Sequence, residues 1–234
     1  MSVGKDRKTL VTNMDNPDHT TRTLLLSRKE PGFLIVSRGG DSNEDPDAED
    51  IETGHSQIRA FDIGNITDSN SPYNYTDGKV LGWGLRNSVG VGEEPTTGGI
   101  WSVENSVDNV KRNGIDVHQN NPGEELNFHG YLNGSTEHQG GNYGYPSCYA
   151  IWDTKNFPNV DQLKTGDQFP TSESNVLDDE TCAAEFVSPT LTFQSHTAPL
   201  DIKFTKDGSS ALVSFHGSCK YSQVLSATNC RTSC

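Results

Sequence analysis

A histidine beside an aspartate is the first pair in the chain that suits acid–base chemistry. Asp18 and His19 follow Pro17 and precede an apolar run, Leu24–Leu26, that predicts a strand. A histidine that a neighbouring carboxylate orients can take a hydroxyl proton near neutral pH. On these residues alone, an Asp-His turn on the surface is the commoner outcome.

An arginine followed by an asparagine is the second chemical candidate. Arg86 and Asn87 offer a planar guanidinium and an amide, which suit a planar ligand that carries carboxylates and ring oxygens. The alternative is a structural salt bridge from Arg86 to Glu93 or Glu94 across a hairpin.

Short strands and turns must position these groups. Only 31% of the residues are hydrophobic and 23 are glycine, which favours a turn-rich all-β protein. Three segments repeat one plan of strand, turn and strand, as in propeller blades, and they are Thr23–Ser37, Ser88–Ser102 and Leu200–Ser214. Loops that leave inner strands converge on a propeller axis, so Arg38, Glu104 and His216 mark the predicted cleft.

Four motifs together are more specific than any of these pairs. They are the stretches Leu81–Ser88, Gly98–Ser106, Pro122–Asn127 and Gly140–Pro146. In this combination the chain resembles the soluble quinoprotein glucose/sorbosone dehydrogenases, most closely the fungal pyrroloquinoline-quinone (PQQ)-dependent pyranose dehydrogenases. The resemblance covers about residues 8–218. It implies a six-bladed β-propeller that is incomplete here, with about four blades in residues 1–218 and a non-family, disordered tail at 219–234.

The resemblance also implies a reaction and its residues. His19, with Asp18 beside it, matches the catalytic base that takes a proton from the C1 hydroxyl of a pyranose sugar. Arg86, Asn87 and His196 match contacts to the PQQ cofactor. The expected partners are the sugar and an external electron acceptor, such as a cytochrome or a copper oxygenase.

The turn at 104–108 resembles the calcium loop of this family. Ca²⁺ binds six to eight oxygens in irregular geometry, and the resemblance nominates Asn105, Ser106 and Asp108. Ser106 and Val107 replace the family's Gly-Pro, and an insertion at 109–121 follows, so the ligating carbonyls stay open. The acidic stretch 41–52 has carboxylates at EF-hand spacing, but Pro46 replaces the turn glycine, so we interpret it as a solvated loop.

Other function classes fit the sequence less well. A non-catalytic carbohydrate-binding or scaffold propeller is the main alternative, because the family's later Lys and Arg cofactor contacts are absent from this chain. A calcium-dependent hydrolase propeller is disfavoured by the Arg86-Asn87 pair and by the loop after His196 that ends in Ala198-Pro199. The formal net charge of −14 argues against a nucleic-acid partner, and no apolar run is long enough for a membrane span.

The cysteines and asparagines indicate the compartment. Cys148 and Cys182 can form a disulfide, whereas the other three cysteines lie in the last sixteen residues. Three glycosylation sequons, at Asn65, Asn74 and Asn133, favour a secreted, extracellular full-length protein. No signal peptide is visible at the polar beginning of the chain.

Overall fold

The computed structural model describes residues 7–67, 71–134, 136–160, 162–172 and 177–217. Its strands are β1 Val11–Thr12, β2 Leu24–Leu26, β3 Phe33–Arg38, β4 Gln57–Asp62, β5 Tyr73–Asn74, β6 Lys79–Trp83, β7 Ser88–Glu93, β8 Gly99–Glu104, β9 Lys111–Arg112, β10 Ile115–Asp116, β11 Glu124–Tyr131, β12 Cys148–Ala150, β13 Gln168–Pro170, β14 Leu191–Phe193, β15 Pro199–Phe204 and β16 Ala211–Phe215. One α-helix, α1 Asp179–Glu185, and the 3₁₀ helices Pro46–Glu49, Ile51–Thr53 and Tyr75–Asp77 complete the described elements.

The first four-stranded sheet is antiparallel, in the order β2-β3-β4-β6. Successive side chains of a strand point to opposite faces, and both faces of β3 are buried. Ile35 packs with Ile58 and Leu81 on one face, and Leu34 and Val36 lie in a second cluster on the other. A sheet with two buried faces is the arrangement that packed propeller blades require.

The second four-stranded sheet runs β14-β11-β8-β7, and the β15–β16 hairpin packs against it. Val103 and Leu126 from the sheet meet Ile202 and Val213 from the hairpin in one buried cluster. Gly90 permits this contact, because a Cβ there would lie 2.7 Å from the Asp201 Cα.

The three predicted hairpins are confirmed as the antiparallel pairs β2–β3, β7–β8 and β15–β16. Gly32 and Gly208 have φ of 103° and 69°, as the predicted turns require. A mostly antiparallel β fold is thus confirmed at the coarse level.

A region between residues 109 and 185 departs from a pure β pattern. The insertion folds into the β9–β10 hairpin, and the short helix α1 was not expected in an all-β chain. Asp178 caps this helix by accepting from the Thr181 N–H. The predicted Cys148–Cys182 disulfide is present and ties the helix to β12.

Among the described residues, no helix is long and apolar enough to cross a membrane. The predicted tail at 219–234 lies outside the described residues.

Candidate active site

A cavity of roughly 330 Å³ lies where β8 and two loops meet. Of the eight residues that the sequence nominated for catalysis, cofactor binding or calcium, five line it, namely Arg86, Asn105, Ser106, Asp108 and His196. Arg38, Glu104 and His216, which marked the predicted cleft, are not among its lining residues. Val107, Pro122, Glu124, Ala198 and Gly217 complete the lining. The fold therefore brings together positions more than 100 residues apart in the chain.

Arg86 is a buried cation at the wall of this cavity. Its Nε and Nη2 donate to the carbonyl and side-chain oxygens of Asn43 at 3.0 and 2.9 Å, and its Nη1 donates to the Asn105 carbonyl at 3.2 Å. The alternative salt bridge across the hairpin is wrong, because Glu93 accepts from Ser27 and Glu94 accepts from the turn at Thr96. Backbone and amide oxygens thus fix the guanidinium plane.

Two buried carboxyl groups lie at or beside the cavity: Glu104, which the sequence placed at the predicted cleft, and Glu124, whose role sequence reasoning missed. Glu124 accepts from the Ser106 N–H at 2.8 Å and the Ala198 N–H at 3.2 Å, so it joins the two loops that form the cavity. Burial raises the pKa of Glu124 to about 7. Glu104, which accepts from the Arg86 N–H at 2.6 Å, is also buried, and burial beside Glu125 raises its pKa well above the usual range.

His196 faces hydrogen-bond acceptors with both ring nitrogens. Its Nδ1 lies 3.3 Å from Asp108 Oδ1, and its Nε2 lies 2.5 Å from the His118 carbonyl oxygen. A carbonyl and a carboxylate can only accept, so this geometry favours the imidazolium form. The bond to Asp108 raises the pKa of His196, in agreement with that assignment.

His19 lies just outside the cavity lining, on the loop before β2. Its Nδ1 lies 2.7 Å from the Gly40 carbonyl oxygen, which can only accept, so Nδ1 carries the proton and Nε2 keeps its lone pair. Burial lowers the pKa of His19, and Arg86 lowers it further. The ring is therefore a neutral base at neutral pH.

Asp18 does not take the orienting position that the sequence predicted. Its side chain is exposed, and among the described residues the bond that orients the His19 ring comes from Gly40 instead. A backbone carbonyl supplies the acceptor because the chain at Gly39 and Gly40 passes close to His19.

Gly39 connects His19 to the Arg86-Asn87 pair. A Cβ on Gly39 would lie 2.7 Å from the His19 Cβ, 2.8 Å from Asn87 Oδ1 and 3.2 Å from the Arg86 carbonyl oxygen. Only a residue without a side chain allows these three groups to approach so closely. All three predicted residues are thus adjacent, although Asn87 is not part of the cavity lining.

The acidic stretch 41–52 is only partly the solvated loop that the sequence predicted. Two short 3₁₀ helices replace any EF-hand arrangement, but Asp45 is buried and lies 2.7 Å from His55 Nδ1. Asp41, Asp45 and His55 place one ligand atom each within 4.8 Å of one another, a spacing that a cation can bridge. This cluster lies beside Gly40 and thus close to His19.

The fold and the site define the class of protein. It is a mostly antiparallel β protein whose loops enclose a cavity lined by the fixed guanidinium of Arg86 and the imidazolium of His196, with the neutral His19 nearby. The chain belongs to the TrAA12-like family, whose model matches residues 1–225. The predicted resemblance to fungal quinoprotein sugar dehydrogenases is confirmed by the relatives below.

A pyrroloquinoline quinone-dependent sugar dehydrogenase of Hypocrea jecorina is 58% identical over 213 residues, which cover 91% of this chain and 49% of that protein. The calcium structure of a Trichoderma reesei protein of carbohydrate-active enzyme family AA12 matches with a TM-score of 0.87 and 56% identity, over 92% of this chain and 53% of that one. The holo form of the pyranose dehydrogenase PQQ domain from Coprinopsis cinerea matches with a TM-score of 0.83 and 39% identity, over 91% and 52%. The chain therefore spans about half the length of the relatives it matches here.

Proposed function

We propose that this chain is the base-bearing part of a PQQ-dependent oxidoreductase that oxidises pyranose sugars. The observation that carries the proposal is a neutral His19, with a lone pair on Nε2, packed through Gly39 against the Arg86-Asn87 pair at the cavity wall. The names of relatives at 58% and 39% identity support the same chemistry.

The cavity residues fit a quinone that carries carboxylates. Three of the five N–H groups of Arg86 make its bonds within the described part of the chain, which leaves two for a ligand. His196 adds a second positive charge to the same cavity. Planar, charge-assisted donors are the groups that bind carboxylates and polarise ring oxygens.

The oxygen atoms of the same cavity fit calcium. Ser106, Asp108 and Glu124 provide backbone and carboxylate oxygens, and Asn105 adds the oxygen of its side-chain amide. The Asn105 Nδ2 donates to the Pro199 carbonyl at 2.7 Å, which leaves Oδ1 as an acceptor, whereas the Asn105 backbone oxygen already accepts from Arg86 Nη1. A buried carboxyl such as Glu124, whose pKa is raised in the absence of a cation, is a group that a bound cation would ionise.

In this proposal His19 Nε2 accepts the proton of the sugar C1 hydroxyl, while Gly40 holds the proton on Nδ1. When bound, the quinone supplies the acceptor for the hydride that leaves the same carbon. Arg86 would hold the quinone and polarise its oxygens. An external acceptor, a cytochrome or a copper oxygenase, would take the two electrons from the reduced cofactor.

The architecture and compartment follow the same proposal. The two four-stranded sheets and the β12–β13 and β15–β16 pairs are about four blades, two of them partial, of a six-bladed propeller. The Cys148–Cys182 disulfide supports an oxidising, extracellular location for the full-length protein.

A hybrid enzyme tests the proposal. This chain replaces the matching segment of the H. jecorina sugar dehydrogenase, and the hybrid is loaded with PQQ and Ca²⁺ and assayed by dye-linked oxidation of pyranoses. We expect sugar-dependent dye reduction. A hybrid that binds both quinone and sugar without reducing the dye contradicts the proposal and favours the non-catalytic carbohydrate-binding alternative.

Matched variants of the hybrid localise the quinone site. Arg86→Lys removes the planar fork at the cavity wall and should weaken quinone binding by about tenfold or more. Arg28→Lys makes the same substitution at an exposed arginine and should leave binding unchanged. Equal affinities in the two variants would exclude Arg86 from the cofactor site.

A further inference from the structure

The loop that carries His19 has no regular secondary structure. β1 ends at Thr12 and β2 begins at Leu24, and of residues 13–23 only Thr23 extends the β2–β3 pairing, by accepting from the Ser37 N–H. A base must nevertheless be held within a fraction of an ångström and a few degrees of its working position. Arg22 ties the loop to itself by donating to the carbonyls of Met14 and His19, so the remaining question is which groups fix the loop relative to the sheet.

Arg38, at the end of β3, donates hydrogen bonds to residues of this loop. It is buried, and its Nε donates to Asn16 Oδ1 at 2.8 Å, while its Nη2 donates to the Asp15 carbonyl at 3.0 Å. Its Nη1 donates to the Thr53 carbonyl at 3.2 Å. An arginine has no acceptor, so the Asn16 amide must turn its oxygen toward Arg38.

The orientation that Arg38 imposes on the Asn16 amide also sets the direction of its Nδ2. Its Nδ2 donates to the carbonyl oxygens of Gly39 and Gly40 at 2.6 and 3.0 Å. The Gly40 carbonyl is the acceptor of His19 Nδ1, and the Gly40 N–H donates to the Arg86 carbonyl at 2.9 Å. Gly40 is thus held at its N–H by Arg86 and at its carbonyl oxygen by Asn16 and His19. The peptide that carries this carbonyl is also held on its donor side, because the Asp41 N–H donates to Asp45 Oδ2 at 2.7 Å.

We propose that Arg38 and Asn16 are positioning residues for His19: Arg38 orients the Asn16 amide, Asn16 fixes the Gly40 carbonyl, and that carbonyl keeps the proton of His19 on Nδ1. The inference rests on the proposed function in assigning His19 as the base. In this arrangement no carboxylate orients the His19 ring, because Asp18 does not take that position. The neutral Asn16 amide and Gly40 carbonyl orient the ring instead, and the buried cation Arg38 holds them in place. A neutral relay leaves the pKa of the base low, because it adds no negative charge beside the ring.

Arg59 offers a matched control. Arg38 and Arg59 both lie 5.9 Å from the Tyr75 ring centroid, both are buried, and both donate mainly to backbone carbonyls. Arg59, however, binds Gln57 and the carbonyls of Thr76 and Gly78, none of which belongs to the His19 loop. A lysine at either position keeps the charge and removes the fork.

The test on the chain itself is the tautomer of His19, measured by long-range ¹⁵N–¹H NMR at a pH where the ring is neutral. The His19 signals are assigned by their loss in His19→Gln. We expect the Nδ1–H tautomer in the unmodified chain and in Arg59→Lys. Arg38→Lys and Asn16→Asp should shift the ring toward a mixture of tautomers, because Asp at 16 cannot donate to Gly40.

Asn16 is only partly buried, so we expect its variants to fold. They therefore test the relay even if Arg38→Lys does not fold. An Nδ1–H tautomer that persists in both Asn16→Asp and Asn16→Ala overturns the relay, whatever the enzyme does. The hybrid enzyme provides a second readout: kcat should fall by about 10- to 100-fold in Asn16→Asp with KM unchanged. A tautomer change in a hybrid that oxidises no sugar would retain the relay and reject the proposed function.

Discussion

At the scale of single residues, the site depends on a histidine that is neutral because of its surroundings. The Gly40 carbonyl fixes its tautomer, and burial and Arg86 both disfavour its charged form. The same residue type behaves oppositely at His196, where Asp108 and the His118 carbonyl favour the imidazolium. The groups around the two rings thus favour different charges: the neutral form of His19 and the imidazolium form of His196.

The first residue-scale prediction concerns pH. The pKa of His19 lies below the ordinary value of 6.5, so the neutral ring persists as the pH falls until that lowered pKa is reached. Base-dependent activity is therefore retained above the lowered pKa and lost below it. An NMR titration of the His19 ring in the chain measures the pKa directly, and a midpoint at or above 6.5 would contradict the assignment.

A second residue-scale prediction concerns Gly39. In Gly39→Ala the new methyl group meets the His19 Cβ and Asn87 Oδ1 at distances below 3.0 Å, so either neighbour must move. We expect a loss of about 1–3 kcal/mol in the free energy of unfolding and a changed His19 ring signal. Gly134→Ala, where the nearest atom lies 4.0 Å away, is the control and should change neither. Equal stability of the two variants would show that the contact is not tight.

The residue types predicted which side chains belong to the site better than they predicted the groups to which those side chains bond. Arg86, Asn105, Ser106, Asp108 and His196 do line one cavity. Gly39, Gly40 and Glu124 were missed because their roles arise from backbone crossings and loop contacts, for which the sequence carries no local pattern. Asp18 was a wrong orienter for the same reason, since adjacency in sequence does not fix which acceptor a ring faces.

At the scale of elements, hairpins were predictable and their irregular neighbours were not. Alternating apolar residues and Gly turns define β2–β3, β7–β8 and β15–β16 locally. Helix α1 depends on a cap at Asp178 and on packing against β13, which strand periodicity does not reveal. The buried Arg112, bonded to Asp179 at 2.6 Å, likewise joins β9 to α1 through a contact 67 residues apart.

The disulfide gives the element-scale prediction. The Cys148–Cys182 bridge closes a loop with a sequence separation of 34, for which loop-closure entropy predicts about 3–4 kcal/mol of stabilisation. The double variant Cys148→Ser, Cys182→Ser should lose about that much free energy of unfolding in urea titrations. Non-reducing peptide mapping should recover the pair from the unmodified chain. Free thiols at both positions would refute the pairing.

At the scale of the whole molecule, a net charge of −14 must be reconciled with an anionic cofactor. The long-range field repels anions, so the proposed quinone binding has to depend on local cations, which are Arg86, His196 and the proposed calcium. This balance explains why composition argued against a nucleic-acid partner but gave no sign of a site for a smaller anion.

Calcium removal tests that balance. Chelation should weaken quinone binding to the hybrid by about tenfold or more, because the oxygen-lined wall at Asp108 and Glu124 would then face the ligand without a cation. Affinity is measured by quinone absorbance with and without chelator. Restored Ca²⁺ should recover binding, whereas Mg²⁺ should not, since it demands shorter, octahedral coordination. Chelator-independent affinity would remove calcium from the account.

The central claim is that His19 is the base of a quinone-dependent sugar oxidation. The most direct measurement is kcat of the hybrid enzyme carrying His19→Ala, beside His138→Ala, which changes an exposed histidine. We predict that His19→Ala lowers kcat by about two to four decades with quinone still bound, and that His138→Ala leaves kcat unchanged. A loss of less than about threefold in His19→Ala would contradict the account.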